Sequence, residues 1–62
     1  MVNAENYAIN PIRATFTALS IDCTKNNLPR LCELVKWQNK VYIVVYIVDN
    51  YNGLYNVRCE LR

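Results

Sequence analysis

Sixty-two residues with a formal charge of +2 allow a single small domain spanning 1–62. At 53% hydrophobic and 19% charged residues the composition is that of a folded chain, and so slight a charge neither demands nor excludes an acidic partner. The chain has no histidine, which removes Ser-His-Asp and Cys-His catalysis and every zinc site that needs an imidazole.

Residues 1–10 carry Asn3, Asn6 and Asn10 and little apolar mass, so they are expected as a flexible arm on which Tyr7 and Ile9 alternate and can dock. They show no basic flank followed by an apolar core, and no run in the chain reaches the ~18 apolar residues of a membrane helix. The expectation is a soluble, cytoplasmic protein.

Asn10-Pro11 marks a boundary, because the residue before a proline is pushed out of the helical region. Beyond it, Ile12, Phe16, Leu19 and Cys23 recur at helical spacing, whereas Thr15, Thr17 and Ile21 favour a strand. A strand over about 13–21 is preferred, with Thr15, Thr17, Leu19 and Ile21 on one face and Ala14, Phe16 and Ala18 on the other. Thr24–Asn27 reads as a polar turn.

The segment 28–38 is expected as a helix. Pro29 sits near its start, and Leu28, Leu31, Cys32, Leu34 and Val35 form an apolar stripe opposite Arg30, Glu33 and Lys36. The rival reading turns Leu34–Trp37 through Gln38-Asn39 into the next strand, giving an all-β meander.

Val41–Val48 is the firmest element, eight β-branched or aromatic residues with no charge, Gly or Pro. Turn formers follow from Asp49 to Gly53, and then Leu54–Leu61 alternates apolar and polar. A five-residue loop would pair Ile47 with Tyr55, Val45 with Val57, Ile43 with Cys59 and Val41 with Leu61, making one face wholly apolar. Tyr42, Val44, Tyr46 and Val48 would then stand on the other face. The fold expected is α+β: a small antiparallel sheet of strands at about 13–21, 41–48 and 54–61, its Val41/Ile43/Val45/Ile47 face covered by the helix.

Catalytic and cofactor chemistry find no support. Glu5, Asp22, Glu33, Asp49 and Glu60 are scattered, and one glycine excludes a phosphate-cradling loop. Cys23, Cys32 and Cys59 lack Cys-x-x-Cys spacing. They read as reduced, mostly buried small hydrophobes, although a Cys23–Cys32 disulfide would be open to the chain in an oxidising compartment. No metal or cofactor is expected, and no enzymatic activity.

Tyr42 and Tyr46 beside Arg58, with Tyr51 and Tyr55 at the hairpin end, have the composition of a protein-binding surface. The function expected is that of a small interaction protein that binds and modulates another protein, or pairs with a second copy of itself. Nine asparagines, with abundant Ile and Tyr, reflect AT-rich codons, and a phage or mobile-element inhibitor of a host protein would fit. The alternative is a nucleic-acid-binding regulator using Lys25, Arg30, Lys36, Trp37 and Lys40, since four cations against Glu33 give residues 25–40 a local charge of +3.

Overall fold

A computed structural model describes residues 1–62 and contains no helix apart from one 3-10 turn at Ala4–Asn6. Six strands form one sheet: β1 (Val2–Asn3), β2 (Arg13–Ala14), β3 (Ala18–Thr24), β4 (Leu34–Trp37), β5 (Lys40–Asp49) and β6 (Leu54–Leu61). Their order across the sheet is β1-β4-β5-β6-β3-β2, and the sheet curls into a half-barrel. Every pairing is antiparallel except β1 with β4. The α+β expectation is therefore wrong. Nor is the sheet a simple meander, because β3 returns to lie beside β6.

The expected helix at 28–38 does not form, and its stripe of apolar residues misleads for a tertiary reason. A ten-residue β5 leaves a long edge of unpaired backbone groups, which must be met. Leu34–Trp37 meets them, with Val35 opposite Tyr42 and Trp37 opposite Lys40. The two-residue turn is Gln38-Asn39, both in the left-handed region at φ 49° and 64°, as the hairpin turn matched to strand twist requires. Upstream, Cys32 at φ 67° kinks the chain, and the Cys32 N–H donates to the Val44 carbonyl at 2.9 Å. Local helix propensity loses to pairing with β5.

The β5–β6 hairpin forms, but its register differs from the expected one. The Asn50 N–H donates to the Leu54 carbonyl at 2.9 Å, so the loop shrinks to Tyr51-Asn52-Gly53, all at positive φ. Ile47 then pairs with Val57 and Tyr46 with Arg58. Between Val44 and Tyr46 the register shifts, so Val45 is an extra residue, a β-bulge. Before the bulge Tyr42 pairs with Leu61 and Val44 with Cys59.

A bulge reverses the alternation of everything beyond it. On the β4 side of the bulge, Tyr42 and Val44 are buried while Val41, Ile43 and Val45 are only half-buried. The expected core face Val41/Ile43/Val45 is thus inverted, while Ile47, past the bulge, does pack on the core. On β6, Val57 and Cys59 are buried, as their alternation requires, but Leu61 is exposed. On β3, Leu19, Ile21 and Cys23 complete the row.

Residues 2–14 cover much of the concave face, with Leu28 and the buried Pro29 packing beside them. Residues 2–14 cross from one sheet edge to the other. β1 pairs with β4, Ala4 sinks fully into the core, the Ile9 N–H donates to the Asp22 carbonyl at 2.9 Å, and β2 pairs with β3. Residues 1–10 are accordingly a strap tied at both ends, where an arm was expected. Both edges of the sheet end in two-residue strands, too short to invite further pairing.

The bulge makes adjacent valines unequal. Val44→Ala should destabilise the fold by about 2 kcal/mol through lost burial and a cavity, while Val45→Ala should cost less than about 1 kcal/mol. Urea denaturation of the two variants checks this, and equal losses would contradict the inverted alternation.

Candidate protein-interaction face

The outer side of the sheet divides into two halves. Across β3 and β6 it is polar and closely hydrogen-bonded. Arg13 spans Asp22 at 3.1 Å and Ser20 at 3.1 Å, and the Asn56 side-chain amide donates to the Ser20 hydroxyl at 2.8 Å and to Asp22 at 3.0 Å. Asn10 donates to Asp22 at 3.3 Å, so the network also anchors the strap. The hydrogen bonds from Arg13 and then Asn56 hold the Asp22 carboxyl below its ordinary pKa.

Across β4 and β5 the outer side is mainly apolar, interrupted by the exposed Lys36 opposite Val41. Leu34 pairs with Ile43, Val45 follows, Tyr46 and Val48 are exposed, and Leu54 at the start of β6 is exposed too. Tyr46 is 49% exposed. Its cross-strand partner Arg58 places its guanidinium carbon 5.9 Å from the ring centroid, at the outer limit of a cation–π contact.

The structure sorts the expected tyrosines. Tyr46 and Arg58 come together on the outer face. Tyr51 is 79% exposed at the tip of the β5–β6 loop, and Tyr55 is half-buried on the core side of β6. Tyr42 does not join them: at 1% exposure it is the largest fully buried side chain. Unbroken alternation along β5 points it outward, and the bulge turns it in.

The basic segment does not assemble into one patch. Trp37 and Lys40 face each other across the β4–β5 turn. Lys36 neighbours Trp37 and so points to the opposite side of the strand. Lys25 lies at the far end of the sheet, its N–H donating to the Gly53 carbonyl at 2.9 Å, and Arg30 belongs to the irregular stretch before β4.

Sequence reading missed Phe16. Alternation puts it on a strand face with Ala14 and Ala18, yet it sits on the turn between β2 and β3 at 92% exposure. A lone aromatic between Thr15 and Thr17 was the available signal. With Trp37, Lys40 and the buried Tyr42 it lines a groove of about 540 Å³ at that end of the sheet.

The remaining titratable groups serve the fold. The Tyr7 hydroxyl donates to Glu33, joining the strap to the stretch before β4. That hydrogen bond, with burial second, raises Tyr7 to about 12 and holds Glu33 below the usual carboxylate range. All three cysteines are free thiols. Burial pushes Cys23 and Cys59 up to about 11, while Cys32 is exposed. No helix is long and apolar enough to cross a membrane.

No protein family, curated protein or solved structure matches this chain.

Two outcomes follow from the titrating groups. A thiol reagent at neutral pH should label Cys32 rapidly and Cys23 and Cys59 only on unfolding, a pattern that mass spectrometry reads directly. Stability should also form a plateau. Tyr7, Cys23 and Cys59, raised in the fold, stabilise fully below about pH 9 and lose that contribution as pH climbs through 11 to 12. Asp22 and Glu33, lowered in the fold, contribute fully above their ordinary values near 4 and lose it as pH falls through their depressed ones. With no histidine between these limits, the melting temperature should stay flat from about pH 6 to 8. A titration inside that window would contradict the assignment.

Proposed function

We propose that this protein is a small, non-enzymatic interaction protein that binds another protein through the outer face of β4 and β5, in the cytoplasm. The observation that carries the reading is the apolar half of that face, with Tyr46 and Arg58 at its border with the polar half. Monomers rarely leave a contiguous apolar patch open without a use for it, and Tyr and Arg are the residues that most often dominate binding energy. The hydrogen-bonded polar half supplies a rim, and Tyr51 extends the surface toward the loop. A phage or mobile-element product that occupies a host protein's surface fits this size and residue usage. A second copy of the chain is the other occupant of the same face. Lys25, Arg30 and Lys36 of the basic segment lie apart from one another and from the Trp37–Lys40 turn, so the segment as a whole forms no single nucleic-acid surface.

Sedimentation equilibrium across a hundredfold concentration range separates the two occupants: a single 7.3 kDa species assigns the face to a foreign partner. Capture from host lysate followed by mass spectrometry then identifies that partner. Tyr46→Ala and Arg58→Ala should each weaken its binding by about tenfold or more, whereas Lys25→Ala should leave it unchanged. Binding equally sensitive to Lys25→Ala and insensitive to Tyr46→Ala would defeat the proposal.

A further inference from the structure

The groove between the β2–β3 and β4–β5 turns lies apart from the outer apolar face and has its own chemistry. Thr15 and Phe16 line it from the β2–β3 turn, and Trp37, Gln38 and Lys40 from the β4–β5 turn, together with the buried Tyr42. At about 540 Å³ it falls within the ~300–1,000 Å³ typical of ligand sites.

The backbone on both sides is held by hydrogen bonds and turn geometry. The Thr15 N–H donates to the Ala18 carbonyl at 2.9 Å, the Ala18 N–H to the Thr15 hydroxyl at 3.1 Å, and the Leu61 N–H to the Thr17 carbonyl at 2.7 Å. Phe16 is therefore nearly fully exposed on an ordered turn. Trp37 and Lys40 flank the tight Gln38-Asn39 turn, and Trp37 is braced against the core. Trp37, packed against the core, is set in advance, whereas Phe16 sits on an ordered backbone and only its side-chain rotamer remains to be fixed when a ligand enters.

Lys40 is the only charged residue in the lining, and no carboxylate lines the groove. Arg62, whose N–H donates to the Val41 carbonyl at 2.9 Å, brings a second basic residue to this end of the sheet. Two aromatic rings favour a planar, unsaturated ligand, and the cation favours an anionic group attached to it. An unpaired base carrying its phosphate has both properties. A proline-rich peptide would also lie against the rings, but would offer Lys40 no charge to meet.

We infer that this groove binds single-stranded nucleic acid, taking unpaired bases against Phe16 and Trp37 while Lys40 meets the phosphate backbone. The site is independent of the protein-binding face and shares no residue with it.

Trp37 is the only tryptophan, so its fluorescence reports on the groove directly. An eight-residue oligothymidylate should quench it saturably with a dissociation constant below about 100 μM at ~50 mM salt. Thymidine monophosphate at equal base concentration should bind at least about tenfold more weakly, because it spans one stacking position only. Phe16→Ala, at an exposed position where the fold loses nothing, should weaken the oligonucleotide by about tenfold. Lys40→Gln should lower the slope of log affinity against log salt by about one. No saturable quenching, or an affinity unchanged by Phe16→Ala, would overturn the inference. Mononucleotide binding as tight as the oligonucleotide would overturn it too, and would make a free nucleotide the ligand.

Discussion

A lone sheet with no helix to lie on it can bury a face only by curling, and everything in this molecule follows from that constraint. Curling needs a place to bend. The extra residue at Val45 provides it in the longest strand, where a bulge bends the strand and increases its twist. The same residue lets one strand present Tyr42 and Val44, and then Ile47, to the same concavity. Regular alternation would have carried Ile47 to the outside. The open mouth of the curl is then crossed by residues 2–14, which bring Ala4 into the core and finish both edges.

The outer surface follows from the same constraint. Because the bulge turns the large Tyr42 ring inward, Val41, Ile43 and Val45 are left on the outside of β5, where a regular strand of this composition would have hidden them. Beside them, β3 and β6 carry the Arg13, Ser20, Asp22 and Asn56 network. The boundary between the two halves runs along the pairing of Tyr46 with Arg58. An apolar half next to a hydrogen-bonded half makes the face directional, since the polar groups can give up water only to groups that replace its hydrogen bonds.

What could be read from the sequence depended on how local its cause was. The β-branched run of Val41–Val48 and the alternation of Val57 and Cys59 are local, and both elements form. Leu19 and Ile21 were placed on a common face, and they share it. The bulge has no local signature: nothing in Val44-Val45-Tyr46 distinguishes the extra residue, which exists because Cys59, Val57 and the curl must be satisfied together. The segment 28–38 failed differently. Its apolar spacing and helix-forming residues are genuine, but the unpaired edge of β5 outweighs them, and only the Gln38-Asn39 pair hinted at the hairpin. Phe16 was misassigned because an exposed aromatic on a turn resembles a strand residue until the turn is seen.

The strap also sets the order of assembly. Residues 34–61 form consecutive hairpins whose strands meet through short turns, so they can pair without closing a large loop. Val2 must find Val35 and Ala18 must find Glu60, partners more than thirty residues apart, against a loop-closure cost that grows with separation. Such topologies fold over milliseconds to seconds, slower than helical chains of this size. During that interval the β4 edge and the concave face of the half-built sheet stand open. The residues that close them precede the hairpins in the chain yet find their places after them, so the strap shields the sheet from neighbouring molecules only at the end of folding.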